Sequence, residues 1–399
     1  MPQGEFIALM ALMMSLVALS IDTILPALPN IAADFNVAAG NNIQQVIAVL
    51  FLGLTIGQLF YGPLSDQIGR KPTILIGASV YIIGSLMGAM AESFTVLLIS
   101  RFLQGFGVAA MRVLSIALVR DLYSGAAMAR IMSLAMSIFI LVPCIAPLLG
   151  QSILAFTHWR SIFWVLLVLS LCLVLWFWLR QNETLIPEKR ITMRWKTLAA
   201  GWKETCTNSV AMRYTIAVGC VQGSFTGYLL SAQQIFDQQY HTGELFALYF
   251  AVLALTVGAA SVLNAQIVSR VGMQKMCMYG ALLAIAASSI GLYLELNGYL
   301  SFTGFLTVQG IIMFATGLKL GNMNAIAMQP LGHIAGVASS AISFISGALA
   351  LAVGSLIGSA FNVTVAPLMI GVLGSCLIAL ALILYKPQSQ LEQTRCKTL

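Results

Sequence analysis

Apolar residues in this chain come in runs of about twenty, without the alternation of a half-buried strand or the narrow stripe of a soluble helix. Twelve such runs are read, at roughly 6–28, 43–62, 73–91, 95–118, 131–154, 161–179, 213–235, 246–267, 275–296, 300–319, 336–360 and 365–385. Most match the ~20 residues needed to cross a hydrocarbon core about 30 Å thick. Lipid offers backbone N–H and C=O groups no partners, so apolar spans of this length must be helices. A membrane barrel requires short alternating strands, and the pattern contains none. The expected fold is an all-α membrane protein, with twelve transmembrane helices in two six-helix bundles. Residues 1–180 form the first bundle, 181–212 a linker, and 213–399 the second bundle with a short tail.

Composition supports this pattern. Hydrophobic residues make up 59% of the 399 and charged residues only 8%, against about a quarter charged in soluble domains. The net charge of +7 invites a nucleic-acid reading, but the positions of the charges argue against one. Of the 20 Lys and Arg, the pattern assigns 17, Lys319 included, to the tails and to one set of alternate loops. Arg160 alone lies on the opposite set, and Arg101 and Arg112 fall within span four. This asymmetry places both termini of a multi-pass membrane protein in the cytoplasm. The first run begins at Phe6 without a basic lead-in and contains Asp22, so it reads as a span, not a cleavable signal. The seven cysteines form no CxxC pair and fall mostly in apolar runs, where they pack as small apolar groups.

In the linker, Ile191, Trp195, Leu198 and Trp202 recur at helical spacing among Lys and Arg. Such a segment suits an interfacial helix on the anionic leaflet, with a solvated linker as the alternative. The two parts also echo each other. Residues 62–71 and 265–274 align with Leu64 on Ile267 and Gly69 on Gly272, as expected of a carrier built from repeated halves.

Asp22 is the one acid well inside a span. An ionised carboxylate there costs several kcal/mol unless paired or wetted, so intramembrane acids are functional by default. Helix packing is the plainer role. At ~1.5 Å per residue, Asp22 stands about 25 Å above Glu5, and Arg101 about 27 Å above Val119. Equal depth makes Arg101 the fixed charge against which Asp22 titrates. Arg112 is eleven residues further along the same helix face. It either lines a vestibule and meets substrate anions, or extends toward the headgroups. Met136, Phe139, Phe225, Tyr228 and Gln233 are candidate substrate contacts, because Met and aromatic groups suit an adaptable apolar site; core packing is the plainer role for each.

Catalytic chemistry is absent from the pattern. His158, His241 and His333 are isolated, and there is no P-loop, metal-spaced cluster or nucleophile motif. No enzyme activity, cofactor or metal is expected, and ATP is not the direct energy source.

Gly62-Pro-Leu-Ser-Asp66-Gln-Ile-Gly69-Arg70-Lys71 resembles the G-x-L-x-D-x-x-G-R-K signature of the major facilitator superfamily. Arg101-Phe-Leu-Gln104-Gly105-Phe-Gly107 is similar to the R-x-x-Q-G-x-G motif of its proton-coupled drug exporters. Pro143-Cys-Ile-Ala-Pro147-Leu-Leu-Gly150 resembles the antiporter motif, but has Ala146 and Gln151 where the general pattern has glycine. That departure resembles the Bcr/CflA branch, as do Asp22-Thr-Ile-Leu-Pro26-Ala-Leu-Pro29 and His333-Ile-Ala-Gly336. The resemblance implies a proton-coupled exporter of small amphipathic or apolar compounds in a bacterial inner membrane, working as a monomer. It implies coupling through Asp22 and Arg101, with Gln104 in support, and a gating latch around Gly62, Asp66, Gly69 and Arg70. Asp121 is a plausible partner for Arg70, and Asp66 can face the positive end of a neighbouring helix. Pro143, Pro147 and Gly150 permit a bend in span five. Small residues in span eleven suit sliding or static close packing. The alternatives are a carrier for one metabolite or siderophore on the same fold, and a membrane sensor that no longer transports.

Overall fold

The computed structural model describes residues 1–37, 41–186, 188, 190 and 195–385. Among them all regular structure is helical. The long apolar runs become α1 (Gln3–Asp22), continued by a short α2 (Leu28–Asp34), then α3 (Gln45–Ile68), α4 (Arg70–Ala89), α5 (Phe94–Leu122), α6 (Gly125–Phe156) and α7 (Arg160–Arg180). After α8 (Trp195–Thr207) come α9 (Ser209–Gln234), α10 (Phe246–Val271), α11 (Met273–Leu296), α12 (Phe302–Met328), α13 (Ala335–Ser359) and α14 (Ala366–Leu384). Ten stretches of the described chain are long and apolar enough to cross a membrane; one of them, residues 302–359, contains both α12 and α13.

Two packing groups emerge. In the first, α5 packs on α3 and α4, α1 on α6, and α4 on α7. In the second, α9 packs on α13 and α14, and α12 on α10 and α11. Small residues bring the helices close: the backbone of Gly105 in α5 rests on the carbonyl of Leu50 in α3, leaving no room for a Cβ. The groups meet along two seams, α6 on α10 and α3 on α13. The second seam runs the length of both helices. Gln44 Nε2 donates to the Gly358 carbonyl at 3.1 Å, Thr55 packs on Gly347, and Gly62 sits under Ser340 Oγ.

The sequence echo has a backbone counterpart. Gly69 joins α3 to α4 at φ 110°, and Gly272 joins α10 to α11 at φ 90°. A side chain is strained in that left-handed region, so the same turn needs glycine in both groups.

Two expectations change. Lys319 is not a loop residue: α12 continues nine residues beyond it to Met328, and its side chain is 1% exposed. The basic asymmetry therefore loses one member. The linker helix exists as α8, but Trp202 packs edge-on against Phe344 of α13, ring centroids 5.8 Å apart, and Gly201 abuts Val337. At least this part of its apolar face is covered by protein. Ile191 lies outside the described residues.

Candidate transport site

A cavity of about 440 Å³ opens between the two helix groups, in the size range of small-molecule sites. α1 contributes Val17, Ile21 and Asp22, α5 contributes Arg112, and α6 contributes Phe139 and Pro143. From the other group come Gln222, Phe225, Tyr228 and Leu229 of α9, Phe250, Ser261 and Asn264 of α10, and Met313 and Leu320 of α12. Arg112, Phe139, Phe225 and Tyr228 are thus brought together, as expected of substrate contacts. Met136 and Gln233 are not. Met136 is three residues, about 4.5 Å, from Phe139 toward the basic end of α6. Gln233 is one turn beyond Leu229 and lines a separate depression with Pro26, Pro29 and Asp237.

Asp22 is 5% exposed and makes no hydrogen bond or ion pair with any described residue. Tyr228, with its hydroxyl, lines the same cavity. That hydroxyl is itself buried without a protein partner, on a ring stacked on Phe250. Gly150 is built into the same wall: its backbone lies on the Thr23 carbonyl, where any Cβ would collide. The antiporter-like segment therefore seats α6 against α1 beside Asp22, with Pro143 at the cavity and Pro147 buried. α6 runs unbroken through both prolines.

Arg101 is placed differently from the direct partner the depth argument suggests. It is fully buried and does not line the cavity. Its Nε donates to the Val46 carbonyl (3.0 Å), Nη1 to Gln104 Oε1 (2.7 Å) and Nη2 to the Ser20 carbonyl (2.7 Å). Gln104 Nε2 continues to Ser85 Oγ (2.9 Å), and Ser20 Oγ meets Tyr81 Oη (2.7 Å). One guanidinium thereby ties α1, α3 and α5 together, and α4 through its neighbours. Its planar fork suits several fixed acceptors at once. It reaches the height of Asp22 but spends its donors on backbone and amide oxygens.

At the basic end, Arg70 Nε donates to Asp121 Oδ2 at 2.9 Å, and its Nη1 to Asp66 Oδ1 (2.5 Å) and Ser65 Oγ (2.6 Å). Asp66 thus faces Arg70, not a helix end. The carboxylate at the α4 N-terminus is Glu183, which accepts from Arg70 N (2.9 Å) and Lys71 N (3.0 Å), satisfying amides that a helix start leaves open. A Cβ on Gly69 would run into that carboxylate. This network fixes the end of α3 where Gly62 meets Ser340 of the other group.

Several site residues are absent from the sequence reading. Gln222, Ser261 and Asn264 carried a usable signal, being polar groups that interrupt apolar runs. Ser20, Tyr81 and Glu183 did not, since their roles depend on contacts distant in sequence. Lys319 Nζ is bonded to Cys376 Sγ at 3.2 Å, away from the cavity. Among the described residues no three His, Cys, Asp or Glu side chains group closely enough to hold a metal ion.

Two helix groups meeting around an apolar cavity with an isolated acid are the geometry of a carrier, and the comparisons agree. Residues 10–355 match the Major Facilitator Superfamily. The chain belongs to this superfamily. It is a multi-pass membrane transporter of small molecules, in a family that is not an enzyme class. It is 30% identical over 383 residues to a bicyclomycin resistance protein homolog of Haemophilus influenzae, covering 95% of each chain. It is 27% identical over 374 residues to the multidrug resistance protein MdtL of Escherichia coli O157:H7, covering 92% of this chain and 91% of that one. The human organic anion transporter MFSD10 (TETRAN) shares the fold, with a TM-score of 0.70 at 19% identity, covering 96% of this chain and all of the other.

Proposed function

We propose that this transporter is a proton-driven exporter of small amphipathic or apolar compounds. One observation carries the reading: Asp22, unpartnered, in the wall of an apolar cavity between two helix groups. A carboxylate that can be neutral or charged at such a point couples proton binding to cargo binding. The names of the relatives, bicyclomycin resistance and multidrug resistance, support efflux as the direction.

In this reading the chain has twelve spans. Ten apolar stretches become eleven when 302–359 is divided into α12 and α13, and α9, more polar because it lines the cavity, is the twelfth. Residues 1–180 and 213–399 are the two six-helix bundles, and 181–212 joins them. The matched positive-φ glycines Gly69 and Gly272 support the repeat. The basic residues put both termini in the cytoplasm of a bacterial inner membrane. The protein works as a monomer, rocking the bundles about the two seams. Gly62, Asp66, Gly69, Arg70 and Asp121 hold the cytoplasmic gate, and Pro143, Pro147 and Gly150 set the α6 contact that must change. Arg112, Phe139, Phe225 and Tyr228 bind cargo.

The test is transport by purified protein in proteoliposomes against a panel of amphipathic compounds, with an imposed pH gradient. Cargo moving against the proton flux is expected. Cargo moving only with the proton flux would make the protein an importer and overturn the exchange reading.

A further inference from the structure

We infer that the cargo of this cavity is a zwitterionic amphiphile, its anionic group held by Arg112 and its protonated amine facing Asp22. The inference rests on the exchange reading above and names its substrate class.

Arg112 is the observation that requires it. A guanidinium stays charged in any protein environment, and a charge inside a membrane protein is costly without a partner. Two other cations are set deep in the long helices, and both are bonded: Arg101 by Ser20, Val46 and Gln104, and Lys319 by Cys376. Arg112 makes no hydrogen bond or ion pair with any described residue, yet it lines the cavity. Asp22 is the only carboxylate and Arg112 the only cation among the lining side chains, and they do not pair. The cavity holds a free cation and a free carboxylate.

They stand apart. The Arg101 guanidinium is fixed on the Ser20 carbonyl, two residues from Asp22. Arg112 lies eleven residues, about 16 Å, down α5 from Arg101. The charges are then on the order of 10 Å or more apart along the helix axes. The rest of the cavity wall is largely apolar and aromatic, with Phe51, Phe139, Phe225 and Phe250.

Charge complementarity selects among cargo classes. A plain cation would satisfy Asp22 and leave Arg112 unpaired. A plain anion would satisfy Arg112, but its negative charge would favour a protonated Asp22, so anion and proton would travel together. A zwitterion answers both charges. Its carboxylate or sulfonate takes the guanidinium in a bidentate pair, and its amine competes with the proton for Asp22, as exchange requires. The aromatic walls take the apolar body.

The experiment measures equilibrium binding to the full chain in lipid nanodiscs, with empty nanodiscs subtracted. The probes are ω-aminodecanoic acid, its primary amide, which lacks the anion, and decanoic acid, which lacks the amine. Wild type is expected to bind the amino acid at least tenfold tighter than either other probe. Arg112→Gln should bind the amino acid and the amide equally, at the wild-type amide affinity, a level that also reports an intact site. Arg112→Lys, keeping the charge without the fork, should retain a severalfold preference. A preference for the amino acid that survives Arg112→Gln, or its absence in wild type, overturns the inference. If Arg112→Gln also loses amide binding, Arg112→Lys decides, and equal affinities there overturn it. Proton exchange is read separately, from weakening of amide binding to wild type as pH falls. Losing that pH effect while the anion preference stays overturns the exchange reading alone; the reverse pattern overturns the zwitterion site alone.

Discussion

Arg101 Nη2 is bonded to the backbone carbonyl of Ser20 at 2.7 Å, two residues before Asp22, and no bond joins Arg101 to Asp22 itself. The arginine holds the backbone that carries the carboxylate. In the proposed mechanism it acts on proton coupling as a positioning residue, through the direction in which α1 presents Asp22 to the cavity.

Arg101→Lys should therefore be far from conservative. A lysine supplies one point of donation where three separated acceptors now wait. Each buried acceptor left unpaired costs about 1–3 kcal/mol. Transport should fall at least tenfold, with a lower thermal midpoint in detergent, while the apparent pH midpoint of whatever transport remains stays with Asp22. A variant with wild-type transport and thermal midpoint would show that the network is dispensable.

Depth was legible in the sequence and direction was not. Counting residues from the span ends put Arg101 level with Asp22, and its side chain does reach that height. Sequence spacing says nothing of which neighbouring helix a side chain meets, so the partner was misassigned. Lys319 shows the opposite failure. A lysine at the end of an apolar run reads as a loop, yet α12 continues to Met328 and the ammonium donates to Cys376 of α14. Glu183 could not be found at all, since it reaches the start of α4 from more than a hundred residues away. The long apolar helices were plain, because an apolar run of about twenty residues has few other uses.

The Glu183 contact can be tested directly. Glu183→Gln keeps the shape but removes the charge facing the α4 N-terminus, and should cost roughly 0.3–1 kcal/mol. Glu183→Ala removes the acceptors too and should cost on the order of 1 kcal/mol more. The check is the order of thermal midpoints: wild type, then Gln, then Ala. An unchanged midpoint for Glu183→Ala would mean that solvent caps α4 equally well.

Arg70→Ala breaks the bonds to Asp121, Asp66 and Ser65 at the end of α3 that meets α13. If those bonds hold the gate, transport should drop several-fold while equilibrium cargo binding stays near wild type, because the cavity lies elsewhere. Asp66→Ala should act in the same direction. Transport at the wild-type rate in both variants, measured in proteoliposomes, would remove the gating role.

Lys319→Met replaces a buried cation held by one sulfur with an apolar side chain of similar length. Desolvating a charge can cost more than its pairing returns, so stability should be unchanged or higher, and pH-driven transport should persist. This prediction guards the next one, since Lys319 is a buried cation of the second helix group. A loss of proton coupling in a folded Lys319→Met protein would move the coupling site into the second helix group.

Asp22→Asn is the decisive substitution. The amide mimics the protonated carboxylate permanently, so the variant should bind an aminated cargo more weakly than wild type at neutral pH, with no further weakening as pH falls, and its transport should never respond to a proton gradient. Asp22 is the one acid in the cavity, and one proton per cycle is the simplest stoichiometry. Export of a cargo with no net charge, the zwitterion included, then moves one net positive charge inward per cycle. It responds to voltage as well as to ΔpH. Export of a monocation is electrically silent and responds to ΔpH alone. Uptake into inverted vesicles, with and without a pH gradient and with the voltage clamped by potassium and valinomycin, separates these cases. Gradient-driven accumulation by Asp22→Asn at the wild-type level would end the role of Asp22. The proton would then have to cross through a group outside the cavity, and the unpartnered carboxylate would have no explained function.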